Sequence, residues 1–214
     1  REQYFTETVA LPPQLFSHTD QERQLQSQPT NPFTFGWGGR MAEMLSAYNT
    51  DTQVSPLMSL AGLNSFQVTQ GGLINTYTLG NDGVTPLYSF TGYRRDLVES
   101  SMQSIDSSDH LMVQKYTDTF DSARLAETII QNAFEEAESS GIDYDGIFSA
   151  AGAGDSQLTR RLKTLAKMIA GRSNTSNNRP VYFVDIGGFD NHQKLLPDHS
   201  VLMADLSVSL KGFK

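Results

Sequence analysis

The sequence predicts an α/β fold, and three features near its carboxyl end carry this prediction. An amphipathic helix is expected over residues 155–171, and a run of β-branched and aromatic residues follows at 181–186. The run is apolar without alternation, which is typical of a strand buried on both faces in a parallel sheet. A last helix is expected over 197–211. Helix, strand and helix in this order favour a sheet flanked by helices.

Length and composition indicate one globular domain over residues 1–214. The chain is 38% hydrophobic and 19% charged, which is ordinary for a folded protein and excludes a disordered one. Its net charge is −8 and its basic residues do not cluster, so neither nucleic acid nor an anionic membrane surface is expected as a partner. No apolar run approaches the roughly 18 residues of a transmembrane span. Cysteine is absent, which excludes disulfides, cysteine-ligated zinc and thiol nucleophiles and fits a bacterial exported protein.

Two short helices are expected near the amino end. A polar stretch at 17–28 predicts the first, with Ser17 or Thr19 as its N-cap. The rest of residues 1–35 is expected to be irregular. Apolar side chains recur at helical spacing over 37–48 and predict the second helix.

The middle of the chain changes from β-rich to helical patterning. Residues 94–139 predict a helical region with a break in SIDSSDH and with Gly141 as its C-terminal cap. The helix at 155–171 is expected to take Asp155 as its N-cap. Residues 54–93 are rich in β-branched residues, glycine and proline, and three stretches there indicate short strands or extended loops: VSPLMSLAG, SFQVT and INTYTLG.

The loop after the predicted strand carries the strongest chemical signal. In VYFVDIGGFDNHQ a pair of glycines permits a sharp turn, and Asp190 and His192 follow one residue apart. Ligands of open α/β sheets bind beyond the carboxyl ends of the strands. One oxygen and one nitrogen suit zinc, manganese or iron, and His199 is a candidate third ligand if the loop folds back. The same residues also fit a plain loop in which Asp190 caps the next turn and His192 lies at the surface.

Two further stretches offer weaker chemistry. Ser17, His18 and Asp20 have the side chains of a catalytic triad, but residues so close in sequence rarely reach triad geometry, and helix capping is the alternative. GWGGR lacks the Lys-Ser/Thr of a phosphate-binding loop. It predicts a structural turn into a helix, with Trp37 packed in the core and Arg40 as a candidate contact for an anionic ligand.

Three stretches of the chain resemble those of a known family. They are LPPQLFSHTDQERQLQ, GWGGRMAEML, and the block that runs from QLTRRLKTLAKMIAGR through RPVYFVDIGGFDNHQ to HSVLMADLSVSLKGF. These resemble the Ser-His segment, the Gly-Trp-x-Gly-Arg segment and the GGFDTH or GGWDTH block of domain-of-unknown-function family 1501. That family comprises exported bacterial proteins grouped with the alkaline-phosphatase-like, or sulfatase-like, hydrolases. The resemblance keeps the same order over nearly the whole chain.

The resemblance implies an alkaline-phosphatase-like sheet with a metal-assisted site at the strand ends. In that superfamily two divalent ions flank a nucleophile and stabilise the transferring phosphoryl or sulfuryl group. Carried over, Asp190 and His192 are ligands of a divalent metal, which we expect to be zinc, manganese or calcium, and Asn191 replaces the usual threonine without removing a ligand. Ser17 becomes the candidate nucleophile, with His18 beside it, at a helix start where amide dipoles favour an anion.

The sequence departs from the family pattern at both ends. It contains neither the strand that ends in Gly-Gly-x-Asp-Gly nor the segment with Ser-Asp/Glu-Phe-Gly-Arg-Thr and a later Asp-His pair. It also begins with Arg1, so we expect a central portion of a longer chain whose fold is incomplete at both ends.

Two functions therefore stay open. The first is a metal-dependent hydrolase of small phosphate or sulfate esters in the periplasm or outside the cell, exported folded by the twin-arginine route. The second is a non-catalytic envelope or surface protein that uses the same scaffold to bind a surface polymer or a partner protein. The sequence leaves the oligomeric state open.

Overall fold

The computed structural model describes most of the chain: residues 5–6, 8, 14, 16–28, 31–49, 53–72, 74–84 and 90–214. The described part is mixed α/β and mostly helical, with a small three-stranded parallel sheet. The α/β prediction is confirmed at this level. The chain divides into two compact units, which are described one after the other, and the prediction of a single domain stays a prediction.

Each helix that the sequence predicts is present. The helices are α1 (His18–Gln26), α2 (Trp37–Met44), α3 (Gly92–Gln103), α4 (Leu111–Ser139), α5 (Tyr144–Ala150), α6 (Gln157–Ala170) and α7 (Leu195–Phe213). The strands are β1 (Ser27–Gln28), β2 (Asn31–Gly36), β3 (Leu57–Ser59), β4 (Tyr77–Thr78) and β5 (Val181–Phe183), and 3-10 turns follow α2 and α6 at Ser46–Tyr48 and Arg172–Asn174.

The first unit contains the parallel sheet and consists of Arg1–Thr50, Ser55–Thr78 and Asn178–Phe183. The strand order is β4-β3-β5, and both pairings are parallel, as the apolar run of the last strand predicts. β5 ends at Phe183, three residues before the predicted end. Two of the stretches predicted to be extended contain β3 and β4, whereas SFQVT forms a loop.

A buried amide fastens two strands of this sheet together. Gln67 is 1% exposed, and its Nε2 donates to the carbonyl oxygens of Met58 at 2.9 Å and Val181 at 3.1 Å. Its Oε1 accepts from Asn64 Nδ2 at 3.0 Å. One NH₂ group therefore bridges β3 and β5. The apolar core beside it consists of Ala42, Leu57, Phe66 and Val181, with Ile74 and Phe183 packed against it.

Glycines let α2 lie directly against the loop at 65–69. Gly36 N donates to Val68 O and Gly39 N donates to Phe66 O, both at 2.9 Å. A Cβ on Gly38 would lie 2.2 Å from the Phe66 ring, so only a residue without a side chain fits there. GWGGR is thus a structural turn into a helix, as the sequence predicts.

The prediction that Trp37 packs in the core is wrong. The side chain is 50% exposed, because the helical rotation turns Gly38 and Ala42 toward the core instead. Trp37 stacks edge-on against Phe66, with ring centroids 4.3 Å apart. Its Nε1 donates to Leu25 O at 3.2 Å.

The expectation that residues 1–35 are irregular apart from one helix is also wrong. β1 follows α1 directly and pairs antiparallel with β2, with Ser27 opposite Gly36. An irregularity in register interrupts the pair after Ser27. Both residues of β1 are polar and Pro32 lies inside β2, so the brief alternation of Phe33, Thr34 and Phe35 is a weak strand signal.

The second unit is helical and consists of Asp51–Val54, Leu79–Asn177 and Val184–Lys214. α6 packs against both α4 and α7, and α5 packs against α7. Gly141 has φ +77° just after α4, which confirms it as the helix-terminating glycine. The buried apolar side chains of α4, α5 and α6 are Ala126, Ile130, Ala133, Ala137, Phe148, Leu158, Leu162, Leu165 and Met168.

The prediction that Asp155 is the N-cap of α6 is wrong, because Ser156 takes this position. Ser156 Oγ accepts from Thr159 N at 3.1 Å and donates to Asp205 Oδ1 at 2.8 Å. Thr159 and Ser209 hydroxyls lie 2.8 Å apart in the same network. The hydrogen bond to Asp205 on α7 therefore favours Ser156 over Asp155 as the N-cap.

In the part of the chain that the structure describes, no helix combines the length and apolar character that a membrane crossing needs.

Candidate metal centre

The candidate site lies in a loop of the second unit. After β5 the chain runs without regular secondary structure until α7 begins at Leu195. Gly188 has φ +92°, a conformation that side chains rarely adopt. A Cβ there would also lie 3.4 Å from Leu202. The glycine turn that the sequence predicts is present at Gly188.

The start of this loop is anchored to α6. Arg161 is 9% exposed, and its guanidinium donates to the carbonyl oxygen of Asp185 at 2.9 Å and also to the Asp185 carboxylate. Its Nε donates to Asn81 Oδ1 at 2.9 Å. Because guanidinium groups hold carboxylates with fixed geometry, this contact sets where the loop begins.

The tip of the loop is held by a backbone carbonyl. Phe189 O accepts from Asn191 N and from His199 Nε2, each at 3.0 Å. A carbonyl can only accept, so His199 carries a proton on Nε2. Asn191 Nδ2 donates to Gly188 O at 2.9 Å. Asn191 therefore adds a hydrogen bond within the loop.

Asp190 and His192 are brought together at the tip. His192 Nε2 lies 3.2 Å from Asp190 Oδ1, and their side chains are 77% and 61% exposed. Two atoms that each lie about 2.1 Å from one ion, at angles of roughly 90° to 109°, are about 3.0 to 3.4 Å apart. The observed separation fits neighbouring ligands of one ion. It equally fits an exposed ion pair, which contributes little to stability.

The two donor atoms narrow the choice of metal. Imidazole nitrogen with carboxylate oxygen suits zinc or manganese, whereas calcium takes oxygen ligands. Within the described residues of the second unit, Asp190 and His192 supply two protein ligands, fewer than the three of a catalytic zinc site. Among the described residues, His199 does not come within ligand-sharing distance of both Asp190 and His192; it is fixed to Phe189 instead. Its role as a third ligand stays a prediction.

Ser17 and His18 belong to the first unit. Ser17 is the N-cap of α1, and its Oγ accepts from Asp20 N at 3.4 Å. The capping role that the sequence allows is therefore observed. His18 is the first residue of the helix, and its side chain is exposed. The catalytic roles of both residues stay predictions.

Arg40 also belongs to the first unit. It is exposed on α2, with its Cζ 5.6 Å from the ring centroid of Phe35. A cation over an aromatic face is weakly held at an exposed position. Its role as a contact for an anionic substrate stays a prediction.

Two contributors to the loop were missed by sequence reasoning. Arg161 lies between Leu158 and Leu162 on the apolar side of α6, and a charged residue in that position signals a buried partner. Phe189 acts through its carbonyl oxygen, for which the sequence holds no signal. A comparison with models of protein families, with curated proteins and with solved structures gives no match to this chain.

Proposed function

We propose that the chain is part of a metal-dependent hydrolase of small phosphate or sulfate esters, with Asp190 and His192 as ligands of one divalent ion. The observation that carries the proposal is the 3.2 Å separation between Asp190 Oδ1 and His192 Nε2. The alkaline-phosphatase-like character of the fold and the export of the protein to the periplasm or the exterior belong to the same proposal. They rest on the resemblance to family 1501.

The residues of the loop would have different roles in binding the divalent ion. Asp190 would supply negative charge and His192 a neutral nitrogen, so His192 must be deprotonated at Nε2 to bind. The bonds of Asn191 to Gly188 and of His199 to Phe189 would keep the two ligand side chains at one end of the loop. When bound, a divalent ion polarises an ester oxygen and stabilises the charge that develops on it.

The nucleophile and the substrate contact are proposed on the resemblance alone. Ser17 would attack the ester, with His18 beside it, and Arg40 would bind the anionic group. The long 3.4 Å bond from Asp20 N to Ser17 Oγ uses an oxygen lone pair and does not consume the hydroxyl proton.

Metal titration with ester turnover tests the proposal. Asp190→Asn and His192→Gln should each weaken zinc or manganese binding by more than the about 10- to 100-fold that loss of a ligand's supporting partner costs. They should lower 4-nitrophenyl phosphate or sulfate turnover in parallel. The matched controls are Asp198→Asn and His110→Asn, which change the same residue types outside the pair. If the pair and the controls behave alike, the proposal is wrong.

A non-catalytic envelope protein is the second candidate. One observation in its favour is that Ser17 Oγ caps α1. Another is that Asp190 and His192 form an exposed ion pair, which does not require a metal. This candidate predicts that metal-free protein still binds a surface polymer or a partner, and that ester turnover is absent with every divalent ion. Turnover that depends on Asp190 would exclude it.

A further inference from the structure

A tight turn of the second unit is closed by two glycines and lies against α4. Gly80 N donates to Gly83 O at 2.7 Å, and Gly83 N donates to Gly80 O at 3.3 Å. Gly83 has φ +113° and is buried, and a Cβ there would lie 2.9 Å from the Phe134 ring. The two residues between the glycines, Asn81 and Asp82, therefore form the tip of a turn that is held in place at its base.

Residues of α6 hold Asn81 by both its main chain and its side chain. The Asn81 carbonyl oxygen accepts from Thr164 Oγ1 at 2.7 Å, and its side-chain Oδ1 accepts from Arg161 Nε at 2.9 Å. Thr164 and Arg161 are both buried, so water has little access to compete for these bonds. The bond to the guanidinium is charge-assisted, which makes it the stronger of the two.

The guanidinium of Arg161 connects Asn81 to the base of the loop that carries Asp190 and His192. Arg161 Nε has one proton to donate, and Asn81 accepts it. Because the guanidinium is planar and rigid, an acceptor fixed at Nε also sets the direction in which Nη1 points. Nη1 donates to the Asp185 carbonyl oxygen at 2.9 Å and to the Asp185 carboxylate. The Asn81 side chain thus orients the group that holds Asp185.

The chain between Asp185 and Phe189 includes two successive glycines. A Cβ on the first of them, Gly187, would meet no atom of the described residues within 4 Å. Glycine has the widest choice of backbone conformations, so the path of this segment depends on how its two ends are held. His199 holds one end through Phe189 O, and Arg161 holds the other through Asp185.

We propose that Asn81 is a positioning residue for the loop that carries Asp190 and His192, and that it acts through Arg161. Asn81 does not contact the ion; it orients the guanidinium that holds the start of the loop. Its value for ion binding rests on the proposed function, whereas its effect on the loop can be measured without a metal.

Amide hydrogen exchange of the metal-free protein tests the effect on the loop. The Asn191 amide is the reporter, because it donates to Phe189 O at the tip of the loop. Asn81→Ala should speed its exchange by about fivefold, the effect of losing one hydrogen bond. Asn81→Asp, which keeps an acceptor oxygen for Arg161, should restore the wild-type rate. Asp82→Ala, the matched change at the neighbouring exposed residue, should not alter it.

Two further variants separate action through Arg161 from a general loss of stability. In an Arg161→Met background, Asn81→Ala should speed the exchange of Asn191 no further, because changes within one hydrogen-bond network are not additive. Thr164→Val removes the bond to the Asn81 carbonyl oxygen and leaves the Asn81 side chain unchanged. It should speed the same amide, and it provides the test if Asn81→Ala does not fold.

Zinc binding shows whether the position of the loop matters for the proposed metal centre. Asn81→Ala should weaken zinc binding at His192 Nε2 by about tenfold, the lower end of what loss of a supporting partner costs. Asp82→Ala should leave the zinc affinity unchanged. NMR of the His192 imidazole measures both.

Several results would overturn the assignment. Wild-type exchange of Asn191 in both Asn81→Ala and Thr164→Val would remove the positioning role and leave the proposed function intact. Equal acceleration by Asn81→Ala and by either Asn81→Asp or Asp82→Ala would show that the bond to Arg161 is not the cause. Acceleration that persists in full in the Arg161→Met background would remove the action through Arg161.

The zinc titration separates this inference from the proposed function. Unchanged zinc affinity in Asn81→Ala, with a wild-type protein that binds zinc, would overturn the role of Asn81 in ion binding. A wild-type protein that binds no zinc but shows the expected exchange rates would contradict the proposed function and support the role of Asn81 in the loop.

Discussion

Replacing the buried Gln67 by glutamate tests the amide that joins β3 to β5. The substitution keeps the shape of the side chain and removes the NH₂ group that donates to Met58 O and Val181 O. A carboxylate in this place would face two carbonyl oxygens without a cation. The state of lower free energy keeps a proton on the substituted carboxyl group, because this group then still donates to one of the two carbonyl oxygens.

The loss of stability caused by Gln67→Glu depends on the free energy needed to keep the carboxyl group protonated. Retaining it at pH 7 costs about 3.7 kcal/mol, since each pH unit above the ordinary glutamate pKa of about 4.3 costs about 1.4 kcal/mol. The second carbonyl loses a hydrogen bond worth about 1 kcal/mol. We therefore expect Gln67→Glu to lower the free energy of unfolding by about 5 kcal/mol at pH 7 and by about 2 kcal/mol at pH 5.

Urea unfolding at both pH values is the assay. The single tryptophan, Trp37, lies beside Phe66 in the same unit and reports on it by fluorescence. Gln67→Met removes both hydrogen bonds without a titratable group, so its loss should not depend on pH. Gln70→Glu, an exposed change in the same loop, should have little effect. Equal losses for Gln67→Glu at pH 5 and pH 7 would show that the substituted carboxyl group does not hold a proton between β3 and β5.

Three more changes probe the fold and the base of the loop. Gly38→Ala should lower the melting temperature, because the clash with Phe66 (2.2 Å to the added Cβ) costs about 1–3 kcal/mol and outweighs a gain in helix propensity of about 1 kcal/mol; a raised melting temperature would contradict this. Arg161→Ala should lower stability by about 1–3 kcal/mol and speed amide exchange after Asp185, and unchanged exchange there would show that the loop is not anchored by Arg161. Burial raises the pKa of Tyr182 to about 12, so the stability it contributes is complete below about pH 10 and is lost as the pH rises toward 12. Tyr182→Phe should remove the last-titrating tyrosine from an absorbance titration, and its persistence would mean that another tyrosine is the buried one.

The strongly periodic parts of the fold could be predicted from the sequence. The helix at Gln157–Ala170 and the broken helical region at 94–139 follow from apolar spacing and from glycines that end helices. The N-cap of α6 could not be predicted, because Asp205 on another helix bonds Ser156. β1 and β2 could not be predicted either, since β1 is only two polar residues long and a proline inside β2 weakens its strand signal.

The candidate site was predictable only in part. A glycine turn and two ligand types one residue apart can be read directly from GGFDNH. The direction in which the side chains point depends on ties that span the chain, such as Arg161 to Asp185 and His199 to Phe189. His199 illustrates the difference: its residue type suggests a ligand, whereas its hydrogen bond shows it holding the loop.

The most direct test of the metal centre is an NMR titration of the four histidine imidazoles with zinc. Long-range proton–nitrogen spectra distinguish Nε2 from Nδ1 on each ring, and variants assign the rings of His18, His110, His192 and His199. Zinc should shift His192 Nε2 at concentrations that leave His110 unchanged, and Asp190→Asn should abolish the shift. If His192 Nε2 responds no more than His110, or still responds without the Asp190 carboxylate, the two side chains do not share an ion.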